Sequence, residues 1–404
     1  MEFQVNVAFK EEYSKLVALF THRYGYDKIE LIEDAIQETF YKAVKLWPHN
    51  PPQNPKGWLR TVTRNQLIDK FREKKHVSLE HFEVAGFAQD DNWDDPQEIR
   101  DNHLKMIFAC CHPKLKSTDQ LLLSLKFLCG FGSRQIARAL LKSEAAVEKA
   151  ISRARVKFKS IVVDLQIPQV DQLGTRLDNV LRVIYLQFTE GYKVSEGEHL
   201  INRALCMDAI RLAELLTTYP QLNTGKLNAL LALMYFQASR LNARVDPQGN
   251  LITLDGQDRS KWNIAFILQG SNYLGKALAD EKLSHFHIEA AIASVHGTSV
   301  SYEETNWQAI INWYDLGLSS GANKHYQLYR LIAFRQIHSP QDTLKEVNAE
   351  QLPENQFTYV FLGDLNKDLG EVIQARDYYN QAIDFARNQA EKEFIQDKIS
   401  SLQD

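Results

Sequence analysis

The chain predicts an all-α protein, and three observations carry that reading. Apolar residues recur three and four positions apart along most of its 404 residues, a spacing that gathers them on one face of a helix. Alternation at every second residue, the mark of a half-buried strand, is nearly absent. Where the periodicity stops, the composition stops helices: four of the 11 prolines fall between Pro48 and Pro55. A chain this long exceeds one hydrophobic core, so two or three domains are expected.

In chain order, Glu12 to Tyr24 sets Leu16, Leu19 and Phe20 on one face. Ile29 to Leu46 repeats Ile32, Ile36, Phe40 and Val44 at spacing four, which predicts all four inside. Pro48 to Pro55 cannot continue that helix and reads as a stiff loop. Trp58 to Lys74 follows as a long basic helix with Leu59, Val62, Leu67, Ile68 and Phe71 on its buried side. Residues 78–103 hold eight acidic side chains against Arg100 and few apolar anchors, the composition of a flexible linker. Helix is expected again over Leu104 to Cys111, with a break at Pro113 and a restart near Ser117, where Ser117, Thr118 and Asp119 can cap. Beyond Ile167-Pro168 the pattern is helical apart from one long, turn-rich loop, Asn242 to Lys261.

The net charge of −4 hides two unlike halves. Residues 1–164 carry 26 of the 47 Lys and Arg and 22 of the 51 Asp and Glu, leaving 21 against 29 for the rest. The first part is therefore basic and the second acidic. Seven basic residues lie between Pro55 and His76 and eight between Phe131 and Ser160, each block with two acids. Two basic blocks around an acidic spacer suggest two nucleic-acid contacts on one chain. No run of about 18 or more apolar residues occurs, so no membrane span or membrane partner is expected. The opening MEFQVNVAFKEEYSK has no secretion pattern. Four cysteines (Cys110, Cys111, Cys129, Cys206) are too few for a disulfide framework, and a reduced, cytoplasmic setting is expected.

The segment Cys129 to Arg155 has the pattern of a helix-turn-helix. Ile136, Ala137 and Leu140 pack its first helix, a tight turn ends at the capping candidate Ser143, and Val147 and Ile151 bury one face of the second. The other face offers Glu144, Ala145, Glu148, Lys149, Ser152 and Arg153 to a major groove, with Arg155 and Lys157 near phosphates.

That block resembles region 4 of a bacterial RNA polymerase sigma factor, the reader of the −35 promoter element. Upstream, Ile32 to Val44 (IEDAIQETFYKAV) resembles region 2.2, and Pro55 to Arg72 (PKGWLRTVTRNQLIDKFR) resembles regions 2.3–2.4. Their order and spacing are similar to the extracytoplasmic-function class of the sigma-70 family. The resemblance implies a region 2 helical bundle over 1–77, the acidic linker over 78–103 and region 4 over 104–164. Core RNA polymerase and promoter DNA are the partners it implies. Asp34, Gln37, Glu38 and Tyr41 project from one side of an amphipathic helix, and they are the expected docking face for core polymerase. The −10 element needs an unpaired base held outside the duplex and cations along the single strand. The loop from His49 to Gly57, with Trp58, Arg60, Arg64, Asn65 and Arg72, is expected to provide both, although Trp58 can equally close the core. Ser143, Glu144, Ala145, Glu148, Lys149, Ser152, Arg153 and Arg155 are the expected −35 set. Asp69 is expected to orient Lys70 or Arg72.

Members of the class ordinarily end well before residue 404, so 165–404 is an extension. Tyr359-x-x-Leu362-Gly363, then Gly370, Ala375, Tyr379 and Ala382, fit the spacing of a tetratricopeptide repeat near 356–389. Tyr185 to Tyr192, Leu205 to Leu212, Ala243 to Asp246, Gln257 to Trp262 and Ala290 to His296 resemble the extension of one sigma-factor subgroup. In that subgroup the extension is taken to regulate the factor in cis. The expectation is an acidic helical-repeat domain that contacts the basic regions or polymerase, with a groove for an unidentified protein or ligand.

Phe108-Ala-Cys-Cys-His-Pro113 reads as buried thiols ahead of a helix break, since two adjacent cysteines and a histidine fit one zinc poorly and no CxxC follows. No metal or cofactor is expected. His285-x-His287 is one further ligand-like spacing. No catalytic motif accompanies the extension's histidines, so no enzyme is expected. The competing reading is a helix-turn-helix activator with a repeat-type sensor domain that never joins core polymerase. Asp34 to Val44 and Trp58 to Arg72 separate the two, because such an activator has no use for either.

Overall fold

Helix α1 (Glu2–Tyr24) begins ahead of Glu12, and its Val5, Leu16, Val17 and Phe20 are buried. The computed structural model describes residues 2–75, 96–140, 142–161, 170–192, 201–246, 252–279, 282–320, 325–349, 352–386 and 389–402. Among the described residues every regular element is helical. The chain divides into two units, Met1–Gln187 and Phe188–Asp404.

In the first unit α1 packs on α2 (Ile29–Leu46), α3 (Pro55–Lys75) and α4 (Pro96–Cys110). Helix α2 buries Ile32, Ala35, Ile36, Phe40 and Ala43, but Val44 is 50% exposed, against the spacing-four reading. Four residues advance a helix by slightly more than one turn, so a spacing-four row drifts and Val44 leaves the core face that Ala43 takes over. Pro55 opens α3 instead of closing the loop; its missing amide hydrogen costs nothing at a first helical position. The Asn54 side chain accepts from Gly57 N at 3.0 Å and completes that start. Helix α4 starts at Pro96 instead of Leu104, and Asn102 and His103 within it are buried. The end of the expected linker is therefore helix packed on α1; residues 78–95 lie outside the described residues.

Helix α5 (Ser117–Leu123) runs into a π-helical stretch, Ser124–Leu128, in which Cys129 N donates to Ser124 O. Helices α6 (Ser133–Ala139) and α7 (Glu144–Ile161) follow. Gly130 has φ 73°, and a β-carbon there would stand 2.8–2.9 Å from the rings of Tyr13 and Phe9 on α1. Only glycine allows both the turn and the approach. Helix α8 (Val170–Tyr192) returns to this unit: Arg176 donates to Phe108 O at 2.8 Å, and Gln187 donates to Cys129 Sγ. The unit boundary thus falls inside α8, beyond the division at 164 read from the sequence.

A buried carboxylate ties several elements of this unit together. Glu33 on α2 is 2% exposed. It meets Lys126 Nζ of the π-helical stretch at 3.3 Å, Arg155 Nη2 of α7, and Tyr13 OH of α1 at 3.3 Å. Arg155 also reaches Glu30 at 3.7 Å. Burial raises the Glu33 carboxyl above its ordinary range, while Lys126 and Arg155 pull it down.

The second unit stacks α9 (Arg203–Thr217), α10 (Gly225–Ser239), α11 (Ile264–Ala277), α12 (His285–Thr298), α13 (Trp307–Ser319), α14 (His325–Phe334), α15 (Pro340–Ala349), α16 (Gln356–Asp368), α17 (Val372–Asp384) and α18 (Gln389–Ser400). Asn202, Thr224, Asn263, Asn306 and Asn355 each accept from the amide three residues on and cap α9, α10, α11, α13 and α16. Helix α10 is buried nearly all round by α9, α11 and α12. From α12 onward each helix packs on its neighbours in the chain, as in a helical-repeat stack. Arg330 of α14 spans Asp315 of α13 (2.5 Å) and Glu346 of α15 (3.0 Å). Arg335 reaches Asp368 of α16 at 2.5 Å. The helix pair α16–α17 lies in the segment where the repeat spacing is read, with Tyr379 fully packed against Gly363. The pair α13–α14 repeats the device, with Tyr326 against Gly317.

Two measurements test this packing. A β-carbon at Gly363 would lie 2.5 Å from the Tyr379 ring, so Gly363→Ala is expected to destabilise the second unit by about 2 kcal/mol in thermal unfolding. Glu33→Gln leaves buried Lys126 facing no counter-charge while Arg155 keeps Glu30, and a loss of about 2 kcal/mol is expected in denaturant unfolding. Because folding raises the Glu33 pKa, the folded state holds that proton more tightly than the unfolded chain. The Glu33 contribution to stability therefore declines as pH rises from about 4 through the raised value, and the Gln variant lacks that component.

Candidate polymerase and promoter interfaces

The α2 side chains that avoid the core are presented together. Asp34, Gln37, Glu38 and Tyr41 are all exposed, and spacings of three and four put them on one face. Val44 and Leu46 (52%) extend that face, with Tyr41 itself 61% exposed. The face therefore has an apolar end as well as a polar, partly acidic one. Sequence reasoning missed that end by placing Val44 inside; its position three residues after Tyr41 is the signal that could have found it. Lys45 Nζ sits 4.3 Å over the Tyr41 ring. Glu38 is not simply solvated: Lys70 of α3 donates to it at 2.6 Å, joining this face to the basic helix beside it.

Helix α3 carries the other first-unit candidates. Trp58 is half-buried, its ring edge-on to Trp47 with centroids 5.6 Å apart. Trp47 is buried. Both readings of Trp58 thus have a basis: one side closes the core and the other remains accessible at the loop. Arg60 and Arg64 are half-buried, whereas Asn65 and Arg72 are exposed. Asp69 lies 3.9 Å from Arg72, the orienting contact expected of it. Arg60 and Arg64, four residues apart, share one side of the helix, whereas Arg72 is rotated about 120° from Arg60.

The helix-turn-helix forms where the pattern put it. Ile136, Ala137, Val147 and Ile151 are buried between α6 and α7. Ser143 Oγ accepts from Ala146 N at 3.3 Å, the cap expected for α7. Ser143, Glu144, Ala145, Glu148, Lys149, Ser152 and Arg153 are all exposed. Arg155 is not with them. Its side chain is 18% exposed and turned toward Glu30 and Glu33 of α2, because residue 155 shares a face with the buried Ile151 and Phe158. Lys157 likewise faces Asp119 at 3.7 Å.

The residues weighed as metal ligands are placed otherwise. Cys110 and Cys111 are buried, and burial pushes the Cys111 thiol up to about 12. His287 is buried as the capping partner of Ser284, with Nδ1 2.9 Å from the Ser284 hydroxyl and Nε2 3.3 Å from Ala277 O. Among the described residues no three His, Cys, Asp or Glu side chains gather as a metal site, and no helix is long and apolar enough to cross a membrane.

Comparison with known proteins agrees with this layout. A family model described as Sigma-70 region 2 matches residues 9–77, and one described as Sigma-70, region 4 matches 105–158. A family of unknown function (DUF6596) matches 176–278, within the extension and the helix leading into it. The uncharacterized protein R00370 of Rhizobium meliloti (strain 1021) is 32% identical over 384 residues, covering 93% of this chain and 90% of that protein. No solved structure matches the chain. Two sigma-70 regions in order, followed by a separate helical extension, define the relationship: the chain belongs to the sigma-70 family, as an extracytoplasmic-function-like sigma factor with a C-terminal extension domain.

Proposed function

We propose that this sigma factor docks on core polymerase through the α2 face and places two DNA-reading helices on the promoter. Asp34, Gln37, Glu38 and Tyr41, with Val44 and Leu46, form the polymerase contact. Trp58 and the loop before α3 receive an unpaired base of the −10 element, and Arg60, Arg64, Asn65 and Arg72 follow the strand. Ser143, Glu144, Ala145, Glu148, Lys149, Ser152 and Arg153 meet the −35 element in the major groove. The single observation that carries this reading is that the whole α7 set apart from Arg155 is exposed on one helix beside a capped turn. Arg155 joins the DNA contacts only when it leaves Glu33. The acidic extension regulates the factor in cis, by contact with the basic regions or with polymerase.

The test pairs a core-binding titration with run-off transcription, using the full chain and a chain ending at Tyr192, the close of α8. Initiation that depends on the factor is the expected result, with a difference between the two chains that reports the sign of the extension's effect. Equal transcription from both removes cis regulation. Failure of both to bind core transfers the protein to the activator class. Lys149→Ala is expected to weaken promoter binding by about 1 kcal/mol and, if it meets phosphate, to lower the salt slope by about one unit.

A further inference from the structure

Three guanidinium groups meet in the second unit, and among the described residues no carboxylate pairs with them within 4.0 Å. Arg240 closes α10, Arg244 follows in the loop, and Arg259 opens the 3-10 turn Arg259–Lys261 before Trp262. Each is half-buried. Arg244 Cζ lies 3.7 Å over the Tyr192 ring, and Arg259 and Arg240 lie 4.7 and 5.4 Å from the Trp262 ring. Stacking occupies the face of a guanidinium and leaves its N–H edge in need of acceptors.

Neutral oxygens meet only part of that need. Arg259 Nη1 donates to His296 O at 2.5 Å and Ser299 O at 2.7 Å, and Arg240 Nε donates to Gln257 Oε1 at 3.1 Å. Arg259 Nη2, Arg244 Nε, Trp262 Nε1 and Tyr192 OH are buried with no hydrogen-bond partner among the described residues. Trp262 as a whole is only 5% exposed. Orphaned buried donors cost about 1–3 kcal/mol each, so a cluster of four is a demand for acceptors.

The acids nearby in the chain do not supply them. Asp258 accepts from Ser260 N and Oγ at 3.0 and 2.6 Å and faces Lys261. Glu303 acts on Arg259 only at longer range and is fully exposed. Among the described residues none of the three arginines is ion-paired within 4.0 Å. His296 behaves as a further basic group would beside two fixed cations: burial, then Arg240 and Arg259, push its pKa down to about 4, so it stays neutral.

We infer that Arg240, Arg244 and Arg259, with Tyr192 and Trp262, form a binding site for a small multivalent oxyanion carrying phosphoryl or carboxylate groups. Guanidinium edges match both groups in bidentate geometry, and two or more negative charges balance three cations. This site stands on its own geometry and does not depend on whether the extension regulates transcription.

The experiment uses the full-length protein with pyrophosphate and citrate as probes. Thermal unfolding is followed in each, against sodium chloride of equal ionic strength, beside calorimetric titration of each anion. The expected result is a saturable heat and a raised midpoint with at least one anion. Pyrophosphate alone assigns a phosphoryl ligand, citrate alone a carboxylate ligand, and both a shared oxyanion site. Arg244→Gln is expected to weaken binding about tenfold or more, the loss of one charge-assisted hydrogen bond. Arg259→Lys, which keeps the charge and loses the fork, provides the second variant if the first does not fold. The inference is overturned if neither anion exceeds the chloride control, or if a folded variant binds as tightly as the parent chain.

Discussion

A carboxylate removed from water must be met by cations or give up its charge, and the first unit is arranged around that constraint at Glu33. Three separate stretches of chain converge on it. Tyr13 comes from α1, Lys126 from the π-helical stretch and Arg155 from α7. The widened turn of Ser124–Leu128 is a local departure from helical geometry, and Lys126 lies within it. A hydrophobic contact would tolerate sliding, whereas an ion pair with hydrogen bonds specifies which residues meet. Helix α7 is thereby registered against α2, and Gly130 permits the matching close approach of the preceding turn to α1.

The same contact divides the basic residues of the helix-turn-helix into two groups. Lys149 and Arg153 face solvent, while Arg155 is committed to α2. Counting positive charges along the segment makes these residues equivalent; the packing does not. Glu38 and Lys70 show a milder form at the surface, where an exposed acid on the candidate docking face is tied to the basic helix next to it. Such a pair is worth little in stability, but it sets which charges the surface presents.

The extension is built on another principle. From α12 onward its helices contact chain neighbours, so those interfaces are local and repeated. Glycine against tyrosine recurs in α13–α14 and α16–α17, giving close approach on one helix and a large ring on the other. Against that regular background, the arginine cluster between α10 and α12 is an irregularity, built from a loop and two helix ends rather than from the repeat.

Legible in the residues alone are the all-α class, the helix-turn-helix with its Ser143 cap, the exposed sets on α2 and α7 apart from Arg155, and the pairing of Gly363 with Tyr379. These depend on periodicity, capping and small-residue spacing, which act over a few residues and are written locally. The sequence also marks Tyr192, Arg244, Arg259 and Trp262 as belonging to distinctive phrases, without revealing that they meet. Packing between distant segments sets Val44 outside, begins α4 at Pro96, returns α8 to the first unit and turns Arg155 from the DNA set to Glu33. Each of those depends on a partner distant in the chain. Arg155 and Glu33 are 122 residues apart, and no local pattern records which buried acid a cation will find.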